Sequence, residues 1–290
     1  QRGSGIYCEY DSEPLINRTT ISGNICDSED GGMLYCANAA NPKIENSVLW
    51  NSPQPEVVFN SEGGANSVEI SYTNILGGLD SIVTNNNGSV MWQSGNKSVN
   101  PQFVGEGIGD YDLLASSMCI NAGHPDSTDS DGTRADMGAV PYLNSYTGSD
   151  WYVAVGGDDI SGTGALSHPF ASIQAGINFA TPTDSVLVGP GIYFGTANFL
   201  GKVINVVGIE GVEETILDGE GAFNIVTFAN GESRNAVLSG FTIQNGRSDW
   251  AAYHTEGAVY IDGSSPTIRN CIIQDCQQYY YGSAIGLWHD

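Results

Sequence analysis

Apolar positions recur along this chain at an interval too long for one helix and too regular for unrelated loops. Four segments share one pattern: PLINRTTISGN from Pro14, PKIENSVLWNS from Pro42, AVLSGFTIQNG from Ala236 and PTIRNCIIQDC from Pro266. The members of the first pair are offset by 28 residues and those of the second by 30. In each, the third, sixth and eighth positions are apolar or small, as with Leu238, Phe241 and Ile243 or Ile268, Cys271 and Ile273. From the sixth to the eighth the period is two, which places one face of a strand inward. Further strand signals precede the pattern at GSGIYCEYD, GGMLYCANA and EGAVYIDG, so the expected unit is strand, turn, strand, turn.

A strand pair that returns every 28 to 30 residues is too short for a strand, crossover helix and strand, and it lacks a leucine-rich consensus. Coiling the chain so that each turn stacks on the last pairs the backbone amides and buries one aliphatic column. The fold class expected is therefore all-β, a parallel β-helix in two tandem portions. The polar stretch LNSYTGSD at 143–150 reads as a linker between residues 1–142 and 151–290. In HPFASIQAGINFA, the positions Phe170, Ile173, Ile177 and Ala180 fall on one helical face and Pro169 suits a first turn. This short helix is expected to cap the start of the second portion. Downstream, SVLVG, VINVVGI and NIVTFAN read as strands.

The last residues, GSAIGLWHD, match GSGIYCEYD near the start, so the chain is expected to end partway through a coil, as it begins. Solenoid termini normally carry polar caps. The expectation that follows is an excerpt of a longer chain, or ends covered by other copies.

Composition sharpens the picture. Thirty-eight glycines and 14% charged residues suit many tight turns. A net charge of −24 repels a phosphate backbone and excludes nucleic acid as an expected partner, leaving cations as the natural counterpart. No apolar run is long enough to span a membrane. The six cysteines fit no zinc pattern. Cys8 and Cys36 occupy equivalent repeat positions and are expected to stack, as a disulfide or as two buried thiols.

The sharpest local motif is the acidic run from Asp126 to Asp136. Asp129, Asp131 and Asp136, with backbone carbonyls, would suit Ca2+, a hard cation that takes oxygen ligands. The competing reading is a solvated acidic turn in which Arg134 pairs with one Asp. Asp158 and Asp159 form a second acidic turn at the start of the capping helix. Trp250, Tyr253, Tyr279, Tyr280, Tyr281 and Trp288 crowd the second half as a carbohydrate platform or a partner contact. Neither a calcium-lyase arrangement nor a glycosidase carboxylate pair is recognisable.

The stretch NPQFVGEGIGDYDLLASSMCINAGHPDSTDSDGTRADMGAVPY from Asn100 resembles the closing segment of bacterial secreted right-handed parallel β-helix repeat proteins of the pectate-lyase-like superfamily. The stretch WYVAVGGDDISGTGALSHPFASIQAGINFATPTDSVLVGPGIYFG from Trp151 is similar to the opening cap and first turns of the same group. The resemblance implies a right-handed coil and an extracellular or cell-surface location; one fold hosts many functions, so it implies no single activity. The leading expectation is a non-catalytic structural or adhesive protein, associating with other copies or adjoining domains head to tail into a filament. The alternatives are a polysaccharide-binding or polysaccharide-cleaving enzyme and a host-attachment fibre.

Overall fold

The computed structural model describes residues 3–25, 31–50, 55–221, 224–247, 258–277 and 284–288. It divides into two compact units, Gln1–Asn144 and Ser145–Asp290. Each is a parallel β-solenoid.

In the first unit, each full coil carries three short strands. Gly3–Glu9, Leu15–Asn17 and Thr20–Ser22 stack on Gly32–Ala37, Lys43–Glu45 and Val48–Trp50, and these on Val57–Phe59, Asn66–Ser71 and Asn74–Ile75. Ile82–Val83 and Gly88–Trp92 start a fourth coil. The third coil contains a further copy of the repeat, from Val68 to Ile75, whose polar Glu69 and Asn74 hide it in the sequence. Register keeps like side chains above one another: Ile16, Ile44, Ile70 and Trp92 form one column and Ile21, Leu49 and Ile75 a second. Ile44, Leu49, Ile70 and Ile75 are fully buried, and each such side chain contributes about 1.5–3 kcal/mol.

The expected two-strand unit is corrected here to three, because the repeat pattern is not one strand. A single residue with positive φ at its fifth position turns the chain through a corner. That residue is Arg18 at 50°, Asn46 at 50°, Tyr72 at 45°, Gly240 at 83° and Asn270 at 50°. In the first unit the hydroxyl just after the corner donates back over it to the carbonyl two residues earlier: Thr19 Oγ1 to Asn17 O, Ser47 Oγ to Glu45 O, and Thr73 Oγ1 to Ser71 O. Cys271 Sγ makes the same contact with Arg269 O. A small polar group at the sixth position thus gives the carbonyl before the corner a local hydrogen bond.

The second unit has three parallel sheets. Strands Asp150–Val153, Ser185–Val188, Asn205–Gly208, Val237–Ser239 and Thr267–Arg269 form the first. Gly191–Phe194, Thr215–Asp218, Thr242–Gln244 and Ile272–Gln274 form the second; Ala197–Asn198, Val226–Phe228, Val259–Asp262 and Ile285–Trp288 form the third. Trp151, Val186, Val206, Leu238 and Ile268 make one column, and Phe199 lies on Phe228 with ring centroids 4.2 Å apart. Ile243 is fully buried, whereas Ile268 and Ile273, one coil further on, are half-buried.

Among the described residues one α-helix occurs, Ile173–Phe179, and it begins after Ser172 rather than at Pro169. Ser172 accepts from Ala175 N, an N-cap that Pro169 has no means to supply. Phe170 instead bridges Val153 in the sheet. All seven helical residues are buried, so the helix lies inside the fold; beside its apolar stripe, Gln174 and Asn178 are buried as a hydrogen-bonded pair, and Gln174 also bonds the backbone of Asn198. Lys202 Nζ donates to Ile177 O, Asn178 O and Ala180 O at 2.7–2.9 Å, satisfying carbonyls at the helix C-terminus. Asp159 Oδ1 accepts from Ala171 N and Ser172 N just before the helix start. No helix among the described residues is long and apolar enough to cross a membrane.

Candidate functional site

The chemistry suggested by the sequence concentrates in residues 115–144, which run along the corners of the first unit as a strap. An antiparallel hairpin, Phe103–Gly105 with Asp110–Leu113, leads into it. Lys97, in the fourth coil, is half-buried and donates from Nζ to Met118 O at 2.7 Å; desolvation lowers the pKa of its amine. In the third coil, Tyr72 meets the ring of His124 edge-on at 4.9 Å and lies beneath the Arg134 guanidinium at 5.7 Å. The corner residue Asn46 of the second coil accepts from His124 N through Oδ1 and from Gly138 N through its carbonyl. In the first coil Thr20 Oγ1 accepts from Ala139 N, and Arg18 reaches Asp129 Oδ1 and Thr128 O at 2.8 and 2.7 Å.

Within the strap, the acidic run folds as a tight hairpin. Asp129 N donates to Thr133 O, Ala135 N to Ser127 O, and Gly132 turns the chain at φ 88°. Alternating Asp and Ser before a glycine therefore serve a turn, with the carboxylates of Asp129, Asp131 and Asp136 aimed at nearby N–H groups. Asp129, 6% exposed, binds Arg18 through Oδ1 and Asp136 N through Oδ2. Asp131 Oδ1 accepts from Thr133 N and Oγ1, and its Oδ2 from Asn144 N. Asp136, 3% exposed, accepts from Asn121 N and Tyr142 N, both at 2.7 Å.

Electrostatics separate the three acids. Burial pushes the Asp136 carboxyl up to about 7, assisted by the charges of Asp129 and Asp131, against the pull of its two N–H donors. Burial also pushes Asp131 upward, but hydrogen bonds from Asn144 and Thr133 outweigh it and leave that group below the ordinary carboxylate value. Among the described residues, no group of three or more His, Cys, Asp or Glu comes together in a form that could hold a metal ion. A cation at these three acids would have to compete with N–H donors that already face their oxygens.

The cation that pairs with Asp129 is Arg18, not Arg134. Arg134 donates instead to Gly123 O and Ala122 O. Sequence reading also passed over Asn46, Tyr72 and Lys97, which make no local motif. Their only signal was the fifth repeat position that Asn46 and Tyr72 share with Arg18.

Two buried acids of the second unit are used in the same way. Glu232, 1% exposed, accepts from Gly201 N, Asn230 N and Ser264 Oγ, tying neighbouring coils of the second unit together. Asp184 Oδ2 accepts from Trp151 Nε1 and Thr181 N. The second unit's corner at Gly240 and Asn270 borders an open groove of about 610 Å³, which Glu210 and Ile272 also line.

Cys8 and Cys36 pair in register as expected and are free, buried thiols; burial pushes Cys36 up to about 12. Cys271 and Cys276 are half-buried and each donates to a carbonyl two residues before it. Of the aromatic platform, Trp250, Tyr253, Tyr279, Tyr280 and Tyr281 lie outside the described residues. The backbone of Trp288 belongs to strand Ile285–Trp288, and its ring lies outside them as well.

Comparison of the chain with protein-family models, with curated proteins and with solved structures finds no match.

Proposed function

We propose that this chain is a non-catalytic structural or adhesive protein of the cell surface or extracellular space, built from the closing part of one right-handed β-helix and the opening part of another. The observation that carries this reading is how four of its buried acids are used. Asp129, Asp136, Asp184 and Glu232 each receive two or more hydrogen bonds from the chain itself. General acid or base catalysis needs a carboxyl within reach of a substrate proton, and these face inward. Continuous parallel stacking within each unit supports a stiff spacer, since every interior strand is bonded on both edges. The likeness of residues 100–142 and 151–195 to secreted β-helix proteins supports the location.

Association with other copies, head to tail, belongs to the same reading, because parallel coils add to one another through edge amides. Incubation of the chain with acidic polysaccharides, with and without calcium, tests it. No unsaturated product and no new reducing ends are expected. Product formation that a carboxylate substitution abolishes would overturn the proposal. Electron microscopy tests the assembly: linear particles support it, and isolated monomers at all concentrations count against it.

Polysaccharide binding or cleavage is the second reading, favoured by one relation. Gln244 pairs with Gln274 and Val259 with Ile285, so connections 245–258 and 275–284 join the same two sheets on successive coils. Those connections carry Trp250, Tyr253 and Tyr279 to Tyr281. Affinity electrophoresis in polysaccharide gels, with Trp250→Ala as comparison, distinguishes the readings: retardation that the variant loses favours a sugar-binding surface.

A further inference from the structure

We infer that residues 115–144 form a clasp that makes the coils of the first unit open together rather than one at a time. An unclasped solenoid is held by nearest-neighbour contacts, so its outer coils fray before its inner ones. This strap touches all four coils: Lys97 in the fourth, Tyr72 in the third, Asn46 in the second, and Arg18 and Thr20 in the first.

The contacts are linked by the acids of the hairpin. Arg18 holds Asp129 Oδ1, and the other oxygen of the same carboxylate holds Asp136 N. The Asp136 side chain in turn holds Asn121 N and Tyr142 N, near the two ends of the strap. Detaching the first coil leaves the buried Asp129 without its cation and disturbs the group that fixes Asp136. Loosening Asp136 frees the backbone on both sides of His124 and Gly138, which hold Asn46. Each coil is thereby coupled to coils it does not touch. The coupling is independent of whether the chain is adhesive or binds sugar.

Native-state hydrogen exchange on the full chain, read by mass spectrometry in low denaturant, tests the clasp. In the unsubstituted protein, Leu15–Asn17, Lys43–Glu45 and Asn66–Ser71 are expected to exchange through one common opening. A gradient from the first coil inward would overturn the inference. In Asp129→Asn, the first-coil strands are expected to open about tenfold faster than those of the third coil, with Ser185–Val188 of the second unit unchanged. A single shared rate surviving in that variant would also overturn it. Should Asp129→Asn fail to fold, a protease site placed at the exposed Ser130 and cut after folding provides the same comparison, with the same two outcomes.

Discussion

Arg18 and Asp129 lie 111 residues apart in the chain and meet at 2.8 Å, joining the first corner of the solenoid to the tip of the strap. The Asp129 side chain is 2% exposed and that of Arg18 36%, so one end of the pair is dry and the other half-wet. The two ends should therefore respond unequally to substitution.

Asp129→Ala releases Arg18 to solvent and leaves Asp136 N without an acceptor, and should destabilise the first unit by about 1–3 kcal/mol. Arg18→Ala leaves the buried Asp129 carboxylate with Asp136 N but without its cation and should cost more, about 3 kcal/mol. Chemical denaturation of the single and double variants checks this, and the double variant should cost less than the two single losses added together.

Asp136 sets a pH dependence whose sign is opposite to that of an ion-paired carboxylate. Its folded value, about 7, lies above the unfolded value of about 3.9. The native state therefore keeps a proton that the unfolded chain releases between those two values. This group's contribution should fall as pH rises from about 4 to about 7, by up to about 4 kcal/mol, and stay level outside that window. Denaturation midpoints measured at intervals across it should show the slope, and Asp136→Asn should flatten it.

Gly176 sets two effects against each other. Replacing a mid-helix glycine by alanine gains about 1 kcal/mol of helix propensity. Here the added Cβ would sit 2.5 Å from Val186 Cγ1, within the contact between the helix and the first sheet. Overpacking costs about 1–3 kcal/mol, so Gly176→Ala should lower the thermal midpoint despite its better propensity.

Cys8 and Cys36 should react slowly with a thiol reagent in the folded protein and rapidly once it is unfolded, since both are buried and burial raises both pKa values. Timed labelling with and without denaturant measures this. Rapid labelling of both in native buffer would contradict the packing described.

Added calcium should shift the thermal midpoint of the first unit little, because Asp129, Asp131 and Asp136 already face N–H donors. A large calcium-dependent rise, reversed by chelation, would show that the hairpin rearranges around an ion.

The coil was legible in the sequence because its cause is local and repeats. Ile16 and Ile44 recur at 28 residues and Ile243 and Ile273 at 30, and register follows from those intervals. The corner was not legible, since Arg18 and Tyr72, which take positive φ there, are not residues that advertise a turn. The acidic run was visible, but its partner was not. Reading along the chain favoured Arg134, five residues from Asp129, whereas stacking brings Arg18 there from the far end of the unit. Spacing identifies the side chains on one face of a strand, and carries no record of which distant segment will lie across that strand's end.

A corner made by one residue also restricts what evolution can write there. None of Arg18, Asn46, Tyr72, Gly240 and Asn270 is β-branched, as left-handed backbone disfavours branching at Cβ. Further members of this architecture are thus better sought by an exclusion than by a consensus. Valine, isoleucine and threonine should be missing at one fixed place between two aliphatic positions, while almost any unbranched residue is tolerated, even where overall similarity has faded.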